Sequence, residues 1–149
     1  MEQEKKCIDL VADRFAEQEQ EYKDARKWYE DFETATEGEQ IALRKSSEFQ
    51  GYDYEYYDDY SSWLYNQFLG FDFVAPFTFG EDQKAGYWRL QISWGGPSSE
   101  FRIYVDENIN ICAVEYWYLD WYDGAYVDVD ENSESFYICE DFIESNARY

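Results

Sequence analysis

Carboxylates are the residues best supplied to do chemistry in this chain. Asp58-Asp59, Asp120 with Asp123, and Glu140-Asp141 are spaced so that one carboxyl could act as acid and its neighbour as base, the pairing that glycosidases use. Nearby aromatic rings could serve as stacking platforms for a sugar. With 34 acids in the chain, however, chance pairs are inevitable, and spacing alone selects none of them. The run Asp128-Val129-Asp130-Glu131-Asn132-Ser133-Glu134 places oxygens at the first, third, fifth and seventh positions of an EF-hand-like loop. It lacks the glycine that such a loop needs between the last two, and Cys139 stands where the closing glutamate belongs. A strand end followed by an acidic helix N-terminus accounts for the same residues. We expect neither metal nor cofactor.

What is missing narrows the chemistry further. There is no histidine, which excludes Ser-His-Asp and Cys-His catalysis and any imidazole ligand. Cys7, Cys112 and Cys139 are odd in number and without CxxC spacing, so they read as reduced, core-type thiols. Gly95-Gly96-Pro97-Ser98 is a tight turn without the lysine of a phosphate loop. The expectation is a binding protein, not an enzyme.

Charge says what it would bind. The formal net charge is -22, with 12 Lys and Arg against 34 Asp and Glu. Residues 46–83 carry 8 acids and no base, and residues 103–147 carry 12 acids and no base. Residues 84–102 are the exception, at net +2. Direct binding to nucleic-acid phosphates is disfavoured, because that affinity comes from Lys and Arg. An anionic membrane surface would be repelled as well. Neither a secretory leader nor an apolar run able to cross a bilayer is visible, so the expected location is cytoplasmic. Solubility of a small domain needs a net charge of only about 2 to 8 in magnitude. The excess is explained by bulk adaptation, for example to high salt, or by a surface that imitates a polyanion. Duplex DNA presents one negative charge per about 1.7 Å of axis. Tyrosines clustered at 52–60 and 116–126 favour an interface, since Tyr and Trp concentrate at binding hot spots.

The elements that must position these groups follow from periodicity. Ile8, Val11, Phe15, Tyr22, Ala25, Tyr29 and Phe32 recur at helical spacing, and a second helix is predicted over Ile41–Phe49. On the first helix Asp9, Asp13, Glu17 and Glu21 form an acidic row with steps of about 6 Å. A third helix is predicted over Ser61–Leu69, with Asp59 near its start and Gly70 as its cap. From Tyr87 the period changes to two. Trp88, Leu90 and Ile92, then Phe101, Ile103 and Val105, alternate with polar residues, and Asp123-Gly124 signals a hairpin turn. Arg89 and Arg102, with Glu115, are expected as a cross-strand ion cluster on the wet face. The predicted fold is one α+β domain: mainly helical over 1–50, a Tyr/Asp-rich segment with a short helix over 51–84, a four-stranded antiparallel meander over 85–130, and a C-terminal helix over 131–149.

The segments Gln91-Ile92-Ser93-Trp94-Gly95-Gly96-Pro97-Ser98-Ser99-Glu100-Phe101-Arg102 and Asp120-Trp121-Tyr122-Asp123-Gly124-Ala125 form no defined catalytic motif. In these and in its acidity the chain resembles the small anti-defence proteins of phages and plasmids, the DNA-mimic antirestriction and anti-CRISPR proteins. The resemblance implies blocking of a basic nucleic-acid-binding partner, such as a CRISPR effector or restriction enzyme. An immunity-type inhibitor of a basic nuclease toxin is the alternative, with a carboxylate-dependent carbohydrate-acting enzyme behind it. The candidate partner-binding residues are Asp120, Trp121, Tyr122, Asp123, Tyr126, Asp128, Asp130, Glu131 and Glu134, with Asp53, Glu55, Asp58 and Asp59 as a second group.

Overall fold

A computed structural model of the chain describes residues 5–50, 57 and 59–147, with side chains for all of these except 46–50. The element order is α1 (Cys7–Thr34), α2 (Glu37–Gln50), α3 (Tyr60–Tyr65), β1 (Gly70–Val74), β2 (Tyr87–Ser93), β3 (Ser98–Val105), β4 (Ile111–Asp120), β5 (Asp123–Asp128) and α4 (Glu134–Asn146). The class is α+β, as the periodicity predicts. The residues group into two compact units, Met1–Glu19 with Phe68–Tyr149 and Gln20–Gln67.

The first unit is built on an antiparallel sheet of five strands in the order β1-β2-β3-β4-β5. Alternation gives it one apolar face. The register aligns Phe71, Leu90, Phe101, Tyr116 and Val127 in one row, and Phe73, Trp88, Ile103 and Val114 in the next. Leu90, Phe101 and Ile103 are fully buried. Each such side chain contributes about 1.5–3 kcal/mol of transfer free energy. Two helical segments cover this face. The opening turns of α1 bring Phe15 to 5.3 Å from the Tyr116 ring, and α4 sets Phe142 at 5.7 Å from Phe71. Ile138, Cys139 and Ile143 complete the buried stripe of α4. Ser133 caps this helix by accepting the Phe136 N–H at 3.1 Å.

The meander has one strand more than predicted. Gly70–Val74 alternates Phe71 and Phe73 with Asp72 and Gly70, a period-two signal, yet it lies within the 51–84 segment, for which a short helix and no strand is predicted. Helix α3 correspondingly ends at Tyr65, not Leu69. Leu69 N–H is already donated to the Gln91 carbonyl at 2.8 Å, so backbone pairing to β2 begins where the helix was expected to continue. Gly70 opens a strand instead of capping a helix.

A second difference concerns the β4–β5 hairpin. Asp120 and Asp123 form its last pair, so Trp121 and Tyr122 make the turn, not Asp123 and Gly124. Trp121 takes φ 54, a left-handed value unusual for a bulky side chain. Gly124 is needed for close approach: a Cβ there would stand 2.8 Å from Leu119 Cδ2.

The second unit is helical and aromatic. Thr36 and Glu39 form a reciprocal capping box at the start of α2, with Thr36 Oγ1 accepting the Glu39 N–H at 3.3 Å and Glu39 accepting the Thr36 N–H at 3.4 Å. Trp28 Nε1 donates to the Leu43 carbonyl at 3.1 Å, fixing α2 against the second half of α1. Tyr29, Tyr60 and Trp63 follow in ring contact, and Asp59 caps α3 through the Ser62 N–H at 2.8 Å.

Candidate functional site

The hairpin that carries Asp120 to Tyr126 is fixed at its root by the β4–β5 ladder and on one flank by α1. Asp123 Oδ2 accepts the Cys7 N–H at 2.8 Å, an otherwise open donor at the α1 N-terminus. This bond holds the Asp123 carboxyl below the usual carboxylate range. Asp123 is therefore a structural acceptor, with less freedom as a partner contact than its sequence position implies. A depression of about 490 Å³ beside it is lined by Lys5, Lys6, Asp120, Trp121, Tyr122 and Asp123. The lysines bring positive charge to a tip that has none in its own sequence neighbourhood. Trp121 and Tyr122 stand almost wholly in solvent, at 90% and 104% relative exposure.

Beyond the tip the charge is less compensated. Tyr126 and Asp128 lie on the exposed side of β5, and Trp117 stacks on Tyr126 at 4.8 Å and 26°. Asp130 and Glu131 are exposed in the turn that enters α4. Asp130 Oδ1 accepts the Asn132 N–H at 2.7 Å, which makes this turn a defined Asx geometry. Glu134 departs from the expectation that it projects from the surface. It is buried, and its N–H and that of Ser135 are held by the Glu19 carboxylate at 3.0 and 2.8 Å. A carboxylate reaching in from α1 satisfies the open α4 donors, and it could not be located from sequence, being 115 residues away. Among the described residues no three Cys, Asp or Glu side chains gather as ligands for an ion.

Of the second candidate group, Asp53, Glu55 and Asp58 lie outside the described residues. Asp59 is described, and its cap bond to the Ser62 N–H lowers its pKa. The acidic row on α1 is exposed at Asp9, Asp13 and Glu17, with Arg14 pairing Glu17 at 3.3 Å.

The polar face of the sheet carries the expected ion cluster in a different arrangement. The register lines up Asp72, Arg89, Arg102, Glu115 and Asp128 across all five strands. Arg89 grips Asp72 with two bonds, at 3.0 and 2.7 Å. This partner was missed with β1. Arg102 pairs with Glu100 on its own strand at 2.9 Å, not with Glu115. Its guanidinium lies 3.9 Å over Trp117 and 4.8 Å over Tyr87. Glu115 instead accepts from Tyr104 Oη at 3.0 Å and Trp117 Nε1 at 2.9 Å. A cleft of about 310 Å³ opens here between Phe79, Trp94, Gln91, Ser98 and the two arginines. Because each guanidinium already holds a carboxylate, the cleft is electrically balanced and unsuited to capturing a free anion.

Cys7 and Cys139 are buried as core thiols, and burial raises the pKa of both. Cys112 departs from that reading by standing exposed on β4. No helix among the described residues is long and apolar enough to cross a membrane. Compared with known protein families, with curated proteins and with solved structures, the chain finds no match in any of the three.

Proposed function

We propose that the protein is an acidic inhibitor that occupies the nucleic-acid-binding surface of a basic partner by polyanion mimicry. Its target would be a cytoplasmic defence complex such as a CRISPR effector or a restriction enzyme. The observation that carries this reading is the run of exposed carboxylates Asp128, Asp130 and Glu131 on rigid elements, flanked by exposed Tyr126, Trp121 and Tyr122. No Lys or Arg lies between residues 103 and 147 to offset them. Trp121 adds to it, because a solvent-exposed indole held at φ 54 contributes strain and little burial to the fold. Such an outlier suits a contact residue. With Asp123 capping α1 and lysines at the tip, the centre of the surface moves from the hairpin turn to β5 and the turn after it.

The test is competition. Partners captured from a host lysate at low salt are loaded with DNA or RNA and challenged with the protein in a gel shift. Displacement of the nucleic acid supports mimicry, and failure to displace it from any captured partner ends the reading. Capture of a nuclease toxin in place of a nucleoprotein complex would favour the immunity alternative. The triple variant Asp128→Asn, Asp130→Asn, Glu131→Gln should compete less well, chiefly through slower association.

A further inference from the structure

We infer that the free edge of β5 receives an extended, basic segment of the partner as an added strand; this rests on the acidic-inhibitor reading above and names its mode of contact. Among the described residues β5 is the last strand of the sheet and pairs only with β4. The Val129 N–H is donated to the Val114 carbonyl at 2.9 Å, and the register pairs Asp128 with Glu115. In an antiparallel ladder, hydrogen-bonded pairs alternate. Residues 125, 127 and 129 therefore bond towards β4, while Tyr126 and Asp128 turn their N–H and C=O groups to the open side; the Gly124 N–H is taken by the Asp123 carboxylate.

Proteins usually blunt such an edge with lysine, proline or a bulge. β5 has none of the three, and its pairing with β4 runs without a register shift. What it has is Asp at both ends, followed by Asp130 and Glu131. A second copy of this chain would bring the same carboxylates against themselves, at a net charge of -22 on each. An incoming strand with alternating basic and small apolar residues suits the edge better. Its Lys or Arg side chains would lie on the polar face beside Asp128 and the Tyr126 ring, forming cross-strand ion pairs and cation–π contacts. Its apolar side chains would extend the row that ends at Ala125 and Val127. Main-chain bonds would supply affinity and the alternation specificity, as in other strand additions.

The probe is a short synthetic peptide of alternating Val and Lys, titrated into the ¹⁵N-labelled full chain at low salt. A matched peptide is N-methylated on the residues that would donate to the edge. The expected result is slowed exchange and shifted resonances at the Tyr126 and Asp128 amides, with affinity reduced roughly tenfold or more by N-methylation, about 1.4 kcal/mol. Tyr126→Pro removes the outward donor together with the ring, so it should reduce peptide affinity further than Tyr126→Ala, which removes the ring alone, while Tyr126→Phe retains it; circular dichroism checks that all three fold. If Tyr126→Pro fails to fold, the N-methylated peptide still decides. Equal binding of both peptides, with shifts spread over unrelated acidic residues, overturns the strand addition and leaves the acidic-inhibitor reading standing. Sedimentation showing β5 occupied in a dimer of this chain overturns it too. Absence of binding by any basic peptide removes both.

Discussion

Tyr87 shows how a single group can sit at odds with its surroundings. The ring is buried on the polar face, packed 5.7 Å from Tyr104 and beneath the Arg102 guanidinium. Its hydroxyl has no hydrogen-bond partner among the described residues, and burial raises its pKa. An unsatisfied buried hydroxyl forfeits about 1–3 kcal/mol of hydration. Tyr87→Phe keeps the ring and removes that loss, so thermal melts should show the variant as stable as the parent or up to about 1 kcal/mol more so. Marked destabilisation would mean that the hydroxyl has a partner. Asp123 illustrates the reverse case. Its carboxylate is ionised more readily in the folded chain because it accepts the Cys7 N–H. A folded pKa below the unfolded value of about 3.9 stabilises above that pH, and the contribution is lost as pH falls through the folded value. Asp123→Asn should lower the melting temperature at neutral pH, and the difference from the parent should close as pH drops below the usual carboxylate range.

At the scale of elements, the Arg102–Glu100 pair makes β3 the most charge-sensitive strand of the sheet. The two side chains are only 16% and 8% exposed. Breaking a buried pair from one side leaves an uncompensated charge, at roughly 3–5 kcal/mol. Arg102→Ala should fall in that range by denaturant titration, with the loss of packing on Trp117 included. Arg102→Met combined with Glu100→Gln should recover much of it, since no bare charge remains. Such couplings mark the limit of what periodicity can reveal. Alternation in β2 to β5 was legible because each strand buries one face, and α4 lies within the 131–149 segment expected as a helix. β1 was obscured by the aromatic, acid-rich run before it, although Phe71 and Phe73 alternate there. Asp123-Gly124 carried a real turn signal, but tertiary constraints claimed both residues, one to cap α1 and one to admit Leu119. In the candidate site, exposure of Asp128, Asp130 and Glu131 followed from their place at a strand end and turn. The burial of Glu134 and the nearness of Lys5 and Lys6 to the hairpin tip depend on chain segments more than a hundred residues away, beyond any local pattern.

For the whole molecule the -22 charge makes opposite demands on folding and on binding. Carboxylates lie closer together in the folded chain than in the unfolded one, so mutual repulsion opposes folding, and added salt relieves it. A basic partner is attracted by the same field, so added salt weakens that association. Screening is short-ranged enough to separate the two effects, because the Debye length falls from about 10 Å at 0.1 M to about 3 Å at 1 M. Raising sodium chloride over this range should therefore raise the melting temperature while steeply lowering partner affinity. Neutralising Asp128, Asp130 and Glu131 should reproduce both trends in miniature at low salt, with a fold at least as stable and slower association. A chain adapted only to bulk high salt predicts a different pattern, in which folding itself fails in dilute buffer. Calorimetry in dilute buffer separates these cases. A sharp, cooperative melt there, together with salt-sensitive capture of a partner, assigns the excess charge to recognition; a chain that folds only in concentrated salt assigns it to the solvent.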